Sequence, residues 1–594
     1  MIPGAWEIAR VTSLILGWES LFGLLVSVAF FLFCIAAAGW AATFMGQFCE
    51  KSLDKSSSLP NPKKGQGVFI VWGMIAIYTI IFTAMNWQLY NGLLVPHGDS
   101  VMYEEHLWNI THGKGFRSYL DQGLFWGEHI QFVHLLLLPV YLLFSSHFTL
   151  ELFESFALAI AALPVFWIAK RQTQSPFLAV LMAATYLFYM PMHYLDISID
   201  LKTFRPISFG IPFVLFGIDQ YERRRFAGMI VCFLLALSAK EEFAIIIATF
   251  GVWVFFDRPV TLSHSVENIP SSTQTSFTKQ QRILGSCLAI AGTLYLLFAV
   301  GVAIPWFRDG LKVHYSAYFG DLGHSPSELV KNSFRNPILF AKMLFTTRTV
   351  YYFLALFVPL GFLPLFSLKR VAVMLPLFII LSLMTINHSG KDILIPIHHF
   401  HAPLIPILLW AACAGLANVK KNITSITNKM KSLSFLNNLS LQWAGWFAIC
   451  SAIFVGLFMG FGPNSIGFWE SGSSTYWRSR YVPGKRAEMF AEVIKQIPPE
   501  SNVASTDFVH PRFTHYRRSY DYSDFLRKVS NYEKRVPDDT DYIVIDTRHP
   551  YSKIQKPEQL RELKKHSDKW EVLPDKTEGY YIILKRIRKK KSEQ

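Results

Sequence analysis

The chain predicts a polytopic α-helical membrane protein with a small α/β domain at its C-terminal end, and three observations predict it. Apolar stretches close to the roughly 20 residues needed to cross a hydrocarbon core recur from Leu21 to about residue 461. Lys and Arg collect in alternate connecting loops instead of being spread evenly, as in chains threaded through a bilayer. After about residue 465 the sequence turns soluble, and helix-like and strand-like patterns alternate. Composition agrees, with 52% hydrophobic residues against 17% charged and a mean hydropathy of +0.28.

Taken in order, residues 1–18 read as a short amphipathic stretch suited to a membrane surface. The run from Leu21 to Met45 is too long for the apolar core of a cleaved signal peptide and reads as a retained anchor. About twelve transmembrane helices are expected, near 21–46, 67–87, 150–170, 176–192, 207–219, 226–239, 241–256, 284–306, 349–367, 371–387, 400–417 and 442–461. The stretch 130–146, IQFVHLLLLPVYLLFSS, carries His134 and Pro139 and is expected at the interface without crossing. The chain therefore divides into an N-terminal anchor and loop (1–66), a membrane domain (67–461) and a C-terminal domain (462–594).

Orientation follows from the basic loops. Lys51, Lys55, Lys63 and Lys64, then Lys170 and Arg171, Arg223 to Arg225, Lys369 and Arg370, and Lys420, Lys421, Lys429 and Lys431 all fall on one side. That side is expected to be the cytoplasm, which places the C-terminal domain on the outer side of the membrane. The net charge of +15 is then explained by cytoplasmic loops and contact with anionic membrane lipids, and nucleic acid is not an expected partner. The cysteines at 34, 49, 232, 287, 413 and 450 show no paired spacing and read as small apolar residues.

In the C-terminal part, KRAEMFAEVIKQ reads as an amphipathic helix, SNVAST as a buried strand and DYIVID as a second strand. PEQLRELKKH reads as a helix and GYYIILKRI as a last strand. Alternating helix and strand favour a small α/β layer. No glycine-rich phosphate loop accompanies them, so no nucleotide site is expected.

Chemistry concentrates in four ionisable patches at the ends of apolar segments. The first runs from His97 to Phe144 and holds Asp99, Glu104, Glu105, His106, Asp121, Glu128, His129 and His134. The second, HYLDISIDLKTFRP, holds His193, Asp196, Asp200, Lys202 and Arg205. The third, SAKEEF, holds Lys240, Glu241 and Glu242. The fourth, NHSGKDILIPIHHFHAP, holds His388, Lys391, Asp392, His398, His399 and His401. An ionisable side chain at membrane depth costs about 2.5–3.5 kcal/mol on insertion scales, so such groups are paired or functional. A shared cleft is the expectation. Its carboxylates suit Mg²⁺ or Mn²⁺ as a cofactor. GEHIQFVH lacks the two-histidine, one-turn spacing of a zinc protease helix, so zinc is not expected.

GDSVMYEEHLWNITHGKGF, GEHIQFVHLLLLPVYLLF, IDLKTFRPISFGIPFVLF and SAKEEFAIIIATFGVWVF resemble a bacterial membrane family called domain of unknown function 2079. With IPPESNVASTDFVHPRFTHYRR in the C-terminal part, the likeness covers roughly residues 67 to 545. That family in turn resembles the GT-C glycosyltransferases, polytopic enzymes that take a sugar from a polyprenyl-phosphate carrier. The chain departs from the family pattern in two places. Ser100 follows Asp99, and Phe204-Arg205-Pro206-Ile207 stands where the family shows Phe-His-Pro-Glu.

The resemblance implies a GT-C-like membrane domain, with Asp99 as the catalytic carboxylate in the first outward loop. It implies that Glu104, Glu105, His129, Asp200, Arg205, Lys240, Glu241, His398 and His401 surround the polyprenyl-phosphate-linked sugar and the envelope acceptor. Trp108, Trp126 and Tyr103 are candidate platforms for sugar faces. Two other function classes fit the same cleft, a transporter or lipid-handling protein and a non-catalytic envelope scaffold. Transporters are often built from internal repeats, and none stands out here.

Overall fold

The computed structural model describes residues 21–53, 65–95, 100–116, 125–127, 129–197, 204–257, 271–308, 310, 313, 318–320, 322–323, 326–384, 399–429, 440–522, 536–549 and 552–587. Five helices are long and apolar enough to cross a membrane: Leu25–Phe48, Gln66–Asn91, His147–Thr173, Lys279–Phe307 and Leu441–Met459. Three bent pairs bring the number to eight if each is one span. Pro176–Leu187 turns 49° into Met190–Asp196, Pro337–Leu344 turns 51° into Thr347–Leu360, and Leu363–Val371 turns 99° into Leu375–Leu383. Proline in the first turn of Met190–Asp196 and of Leu375–Leu383 explains two of these breaks, because its ring cannot continue the preceding helix.

The expected spans at 226–239 and 241–256 are helices of 14 residues each, Phe226–Ala239 and Phe243–Phe256. At 1.5 Å per residue they reach about 21 Å, short of the roughly 30 Å hydrocarbon core. The expected pair 349–367 and 371–387 is divided differently, with the sharpest turn falling between residues 371 and 375. Within 130–146, a 3₁₀ turn Val133–Leu137 leads into the one-turn helix Leu138–Tyr141, too short to cross.

The helices enclose one large apolar core running from Ala38 to Phe468. Phe243–Phe256 and the helix Ser271–Phe298 approach so closely that a Cβ on Gly251 would lie 2.4 Å from the Ala289 nitrogen, and one on Gly285 would lie 2.6 Å from the Phe255 nitrogen. Close backbone contact through small residues is how helices associate where lipid offers no hydrophobic drive.

Two connections define the ends of this bundle. Helix Gly210–Glu222 starts just after Arg205 and ends at Glu222, and Phe226–Ala239 starts after Arg225 and ends at Lys240. The basic loops meet at one end, where Arg171 bonds Asp219 (2.5 Å) and Glu222 (2.9 Å), Arg223 bonds Asp219 (2.9 Å), and Arg370 stands 3.6 Å from Glu222. The ionisable patches close the other end.

The C-terminal part folds around a five-stranded sheet of β1 (Asn502–Ser505), β2 (Arg518–Asp521), β3 (Tyr542–Asp546), β4 (Trp570–Val572) and β5 (Tyr581–Arg586), in the order β2-β1-β3-β5-β4. β1 is parallel to β2 and β3, while β5 is antiparallel to β3 and β4. Alternate residues serve opposite faces. Val503 and Val544 pack with Phe490 and Val493 of helix Lys485–Ile494, whereas Ala504, Ile543 and Ile545 pack with Leu560 and Trp570. The expected helix at PEQLRELKKH is a 3₁₀ turn followed by Arg561–His566.

Candidate functional site

The helix Met102–Thr111 follows the Asp99 segment, and its first turn carries Glu104 and Glu105. Both are buried, Glu104 to 1% exposure and Glu105 to 4%. Glu104 accepts hydrogen bonds from His515 Nε2 (2.9 Å) and from the Tyr141 hydroxyl (3.2 Å), and pairs with His147 Nδ1 (3.3 Å). His147 Nε2 in turn reaches Glu151 at 2.6 Å. Burial by itself pushes the Glu104 pKa up, but the hydrogen bonds and charge of His147 and His515 outweigh it and hold the carboxyl at about 2. Glu104 is thus the centre of a buried carboxylate–imidazole network spanning the loop helix, the span His147–Thr173 and the C-terminal domain. Glu105 lies 3.9 Å from His510 Nε2.

Contacts with the C-terminal domain continue along this seam. His515 stacks on Trp108 at 4.1 Å between ring centroids, and His112 stacks on the same indole at 3.5 Å. Trp108 thus carries two imidazoles, one of them from the C-terminal domain. Arg512 donates to the Tyr90 carbonyl (3.3 Å), Arg486 to the Leu93 carbonyl (2.8 Å) and Lys114 to the Tyr516 carbonyl (3.2 Å).

Direct contacts join the four patches. His129 Nδ1 is 2.8 Å from Glu241 Oε1, and the Ile130 N–H donates to the other Glu241 oxygen at 3.0 Å. Arg205 Nη1 is 3.0 Å from His399 Nδ1. The Lys240 ammonium, with its side chain 1% exposed, pairs with Glu242 at 3.0 Å and sits 4.8 Å from the centre of the Phe400 ring. Burying two cations costs free energy unless partners offset it; Lys240 has Glu242 of its own patch and the Phe400 ring of the fourth, and Arg205 has His399 of the fourth. His401 is buried at 0% exposure, and its Nε2 is 2.6 Å from the Pro191 carbonyl.

Asp99, Asp121, Glu128, Asp200, Lys202, His388, Lys391, Asp392 and His398 lie outside the described residues. Among the described residues, no three His, Cys, Asp or Glu side chains are grouped to hold a metal ion.

Sequence reasoning passed over the buried acids of the span His147–Thr173. Glu154, 0% exposed, accepts the Arg205 backbone N–H at 2.9 Å and the Ser208 hydroxyl at 2.6 Å, so it fixes the backbone from which Arg205 projects. Asp196, already named in the second patch, is held by Asn86 (2.9 Å) and by Ser155 of this span (2.7 Å). A signal was present. Glu151 and Glu154 stand three apart within an apolar run, and intramembrane carboxylates are functional or structural by default. His515, in FTHYRR, had no local signal.

Among solved structures, the chain is similar to the crystal structure of ArnT from Cupriavidus metallidurans bound to undecaprenyl phosphate. The identity is 14%, with 85% of this chain and 97% of that chain covered at a TM-score of 0.42. No curated protein matches the sequence. The family described as predicted membrane protein (DUF2079) matches over residues 93–581, a span that holds the network around Glu104, the joined patches and nearly all of the sheet, and the chain belongs to that family.

Proposed function

We propose that this chain is a membrane glycosyltransferase of GT-C type, moving a sugar from a polyprenyl-phosphate carrier to an acceptor of the bacterial envelope. The reaction takes place on the outer side of the inner membrane, where the C-terminal domain also lies. The observation that carries the reading is the meeting of Arg205 with His399 and of Lys240 with Phe400 at the bundle end opposite the basic loops. Two buried cations, Arg205 beside an imidazole and Lys240 over an aromatic ring, at the mouth of a membrane domain, suit the phosphate of a lipid carrier.

In the reaction, an acceptor hydroxyl oxygen attacks the anomeric carbon of the sugar. The bond from that carbon to the phosphate oxygen breaks, and the electron pair leaves on the lipid phosphate. Asp99 takes the acceptor proton, a role that typically contributes about 10²–10⁴-fold. Arg205 and Lys240 offset the charge that grows on the leaving phosphate. His129 and Glu241, bonded to each other, hold the loop after Asp99 against the segment that carries Lys240. Mg²⁺ or Mn²⁺, if bound, would have Asp99 and Asp200 as candidate ligands and would supply further charge to the phosphate.

The test is mass spectrometry of envelope glycans and polyprenyl-linked sugars in wild type, a deletion strain and Asp99→Asn at equal membrane level. Loss of one sugar together with build-up of its lipid carrier in both mutants is the expected outcome. An envelope change in the deletion strain alone would remove Asp99 from the mechanism and favour transport or scaffolding.

A further inference from the structure

A cleft opens where the helix Met102–Thr111 meets the sheet, and none of its lining residues belongs to the Arg205–Lys240–His399 group. Glu105, Asn109 and Lys114 line one side and Arg517, Arg518 and Ser519 the other, around a small cleft open to solvent. Three cations share this space, and they are not equivalent. Arg517 is engaged within its own domain, with Nε donating to Asn502 Oδ1 (2.8 Å) and Nη2 to Asp541 (3.0 Å). Lys114 gives one N–H to the Tyr516 carbonyl at 3.2 Å, which leaves two of the three ammonium donors. Arg518, the first residue of β2, has no side-chain hydrogen bond or ion pair among the described residues.

The seam thus holds Lys114 and Arg518 near each other from two separate elements. Burial, and then the neighbouring charge of Arg518, push the Lys114 pKa below its ordinary value. Two carboxylates stand nearby, and Glu105 attracts Lys114 without cancelling the effects of burial and Arg518. Asp541 holds Arg517, and Glu105 faces His510 at 3.9 Å. Like charges brought together disfavour their own charged forms. An oxyanion accepting from both relieves that repulsion through charge-assisted hydrogen bonds, the strong class of such bonds.

We propose that this cleft binds an oxyanion, a phosphate or carboxylate group, held by Lys114 and Arg518 with Asn109 alongside, and that the bound anion ties the helix after Asp99 to the C-terminal domain. The site is independent of sugar transfer and stands whether or not that reading holds. Its ligand is either a free anion or an anionic group on a lipid.

The experiment uses the full-length protein in nanodiscs of phosphatidylcholine or of phosphatidylglycerol, with hydrogen–deuterium exchange read in segments 105–116 and 514–522. Inorganic phosphate is titrated against chloride at constant ionic strength. Saturable slowing of exchange in both segments by phosphate is expected, with the half-saturating concentration raised about tenfold or more in Arg518→Gln. Arg518→Lys should fall between, and Arg561→Gln, an exposed residue of the same domain, should match wild type. Protection in phosphatidylglycerol without added phosphate, lost in Arg518→Gln, would identify the ligand as a lipid headgroup. The proposal is overturned if neither phosphate nor phosphatidylglycerol protects these segments in the wild type, or if Arg518→Gln responds as the wild type does.

Discussion

Glu154 holds Arg205 by its backbone rather than by its charge, which separates the position of the cation from its neutralisation. Replacing Glu154 by leucine removes both acceptors, so the Arg205 N–H and the Ser208 hydroxyl are left unsatisfied, at a cost of about 1–3 kcal/mol each. Glu154→Leu is therefore expected to weaken binding of a polyprenyl phosphate, the carrier proposed above, about tenfold, and Arg205→Gln to do the same. The double variant should be no weaker than either single one, because both act on one contact. Binding to purified protein measures all three, and additive losses would show that Glu154 does not act through Arg205. Glu104 carries a second expectation. A carboxyl whose pKa is depressed by folding contributes stability above its unfolded pKa and loses it as pH falls through the folded value. With its folded value at about 2 against 4.5, Glu104 supports the seam fully above pH 4.5 and ever less below it. Thermal unfolding of wild type and Glu104→Gln, compared at intervals from about pH 6 down to pH 3, should show a stability gap that closes with acid. A gap that stays constant would mean that the network does not titrate in this range.

At the scale of elements, the helix pair Phe243–Phe256 and Ser271–Phe298 depends on small residues at its crossing. A side chain at Gly285 would run into the Phe255 backbone, which cannot yield as a side chain can. Gly285→Val is expected to destabilise by roughly 1–3 kcal/mol, seen as a lower unfolding temperature in detergent, whereas Gly301→Ala, where a Cβ meets nothing within 4 Å, should be neutral. Local pattern foretold β1, β3 and β5, whose runs are apolar and β-branched. It did not foretell β2 and β4, because RSYD is mostly polar and WEV spans three residues, so neither shows an apolar run or a two-residue period. They are strands because β1 and β5 offer them open edges. The bends at 49° and 99° had a visible cause in proline. The direction each half-helix takes afterwards is set by its neighbours.

At the scale of the whole molecule, the basic loops at one end and the patches at the other make a labelling prediction. In a background without native cysteines, a cysteine at position 484 should react with an impermeant reagent added outside intact cells, and one at position 421 only after permeabilisation. The reverse pattern would invert the proposed orientation. The sequence by itself determined the class of molecule, the run of apolar segments, the basic-loop asymmetry and the α/β character of the last part. These rest on composition and on periods of a few residues, which each stretch carries within itself. It also marked the patches, since an ionisable group at the end of an apolar run is costly wherever that run is placed. Only the tertiary structure decided the partners. His129 finds Glu241 across 112 residues, Arg205 finds His399 across 194, and Glu104 finds His515 across 411. Burial demands that each of these groups be satisfied, but many partners would meet that demand equally well. Which one does so depends on which helix ends the packing of the whole bundle brings together.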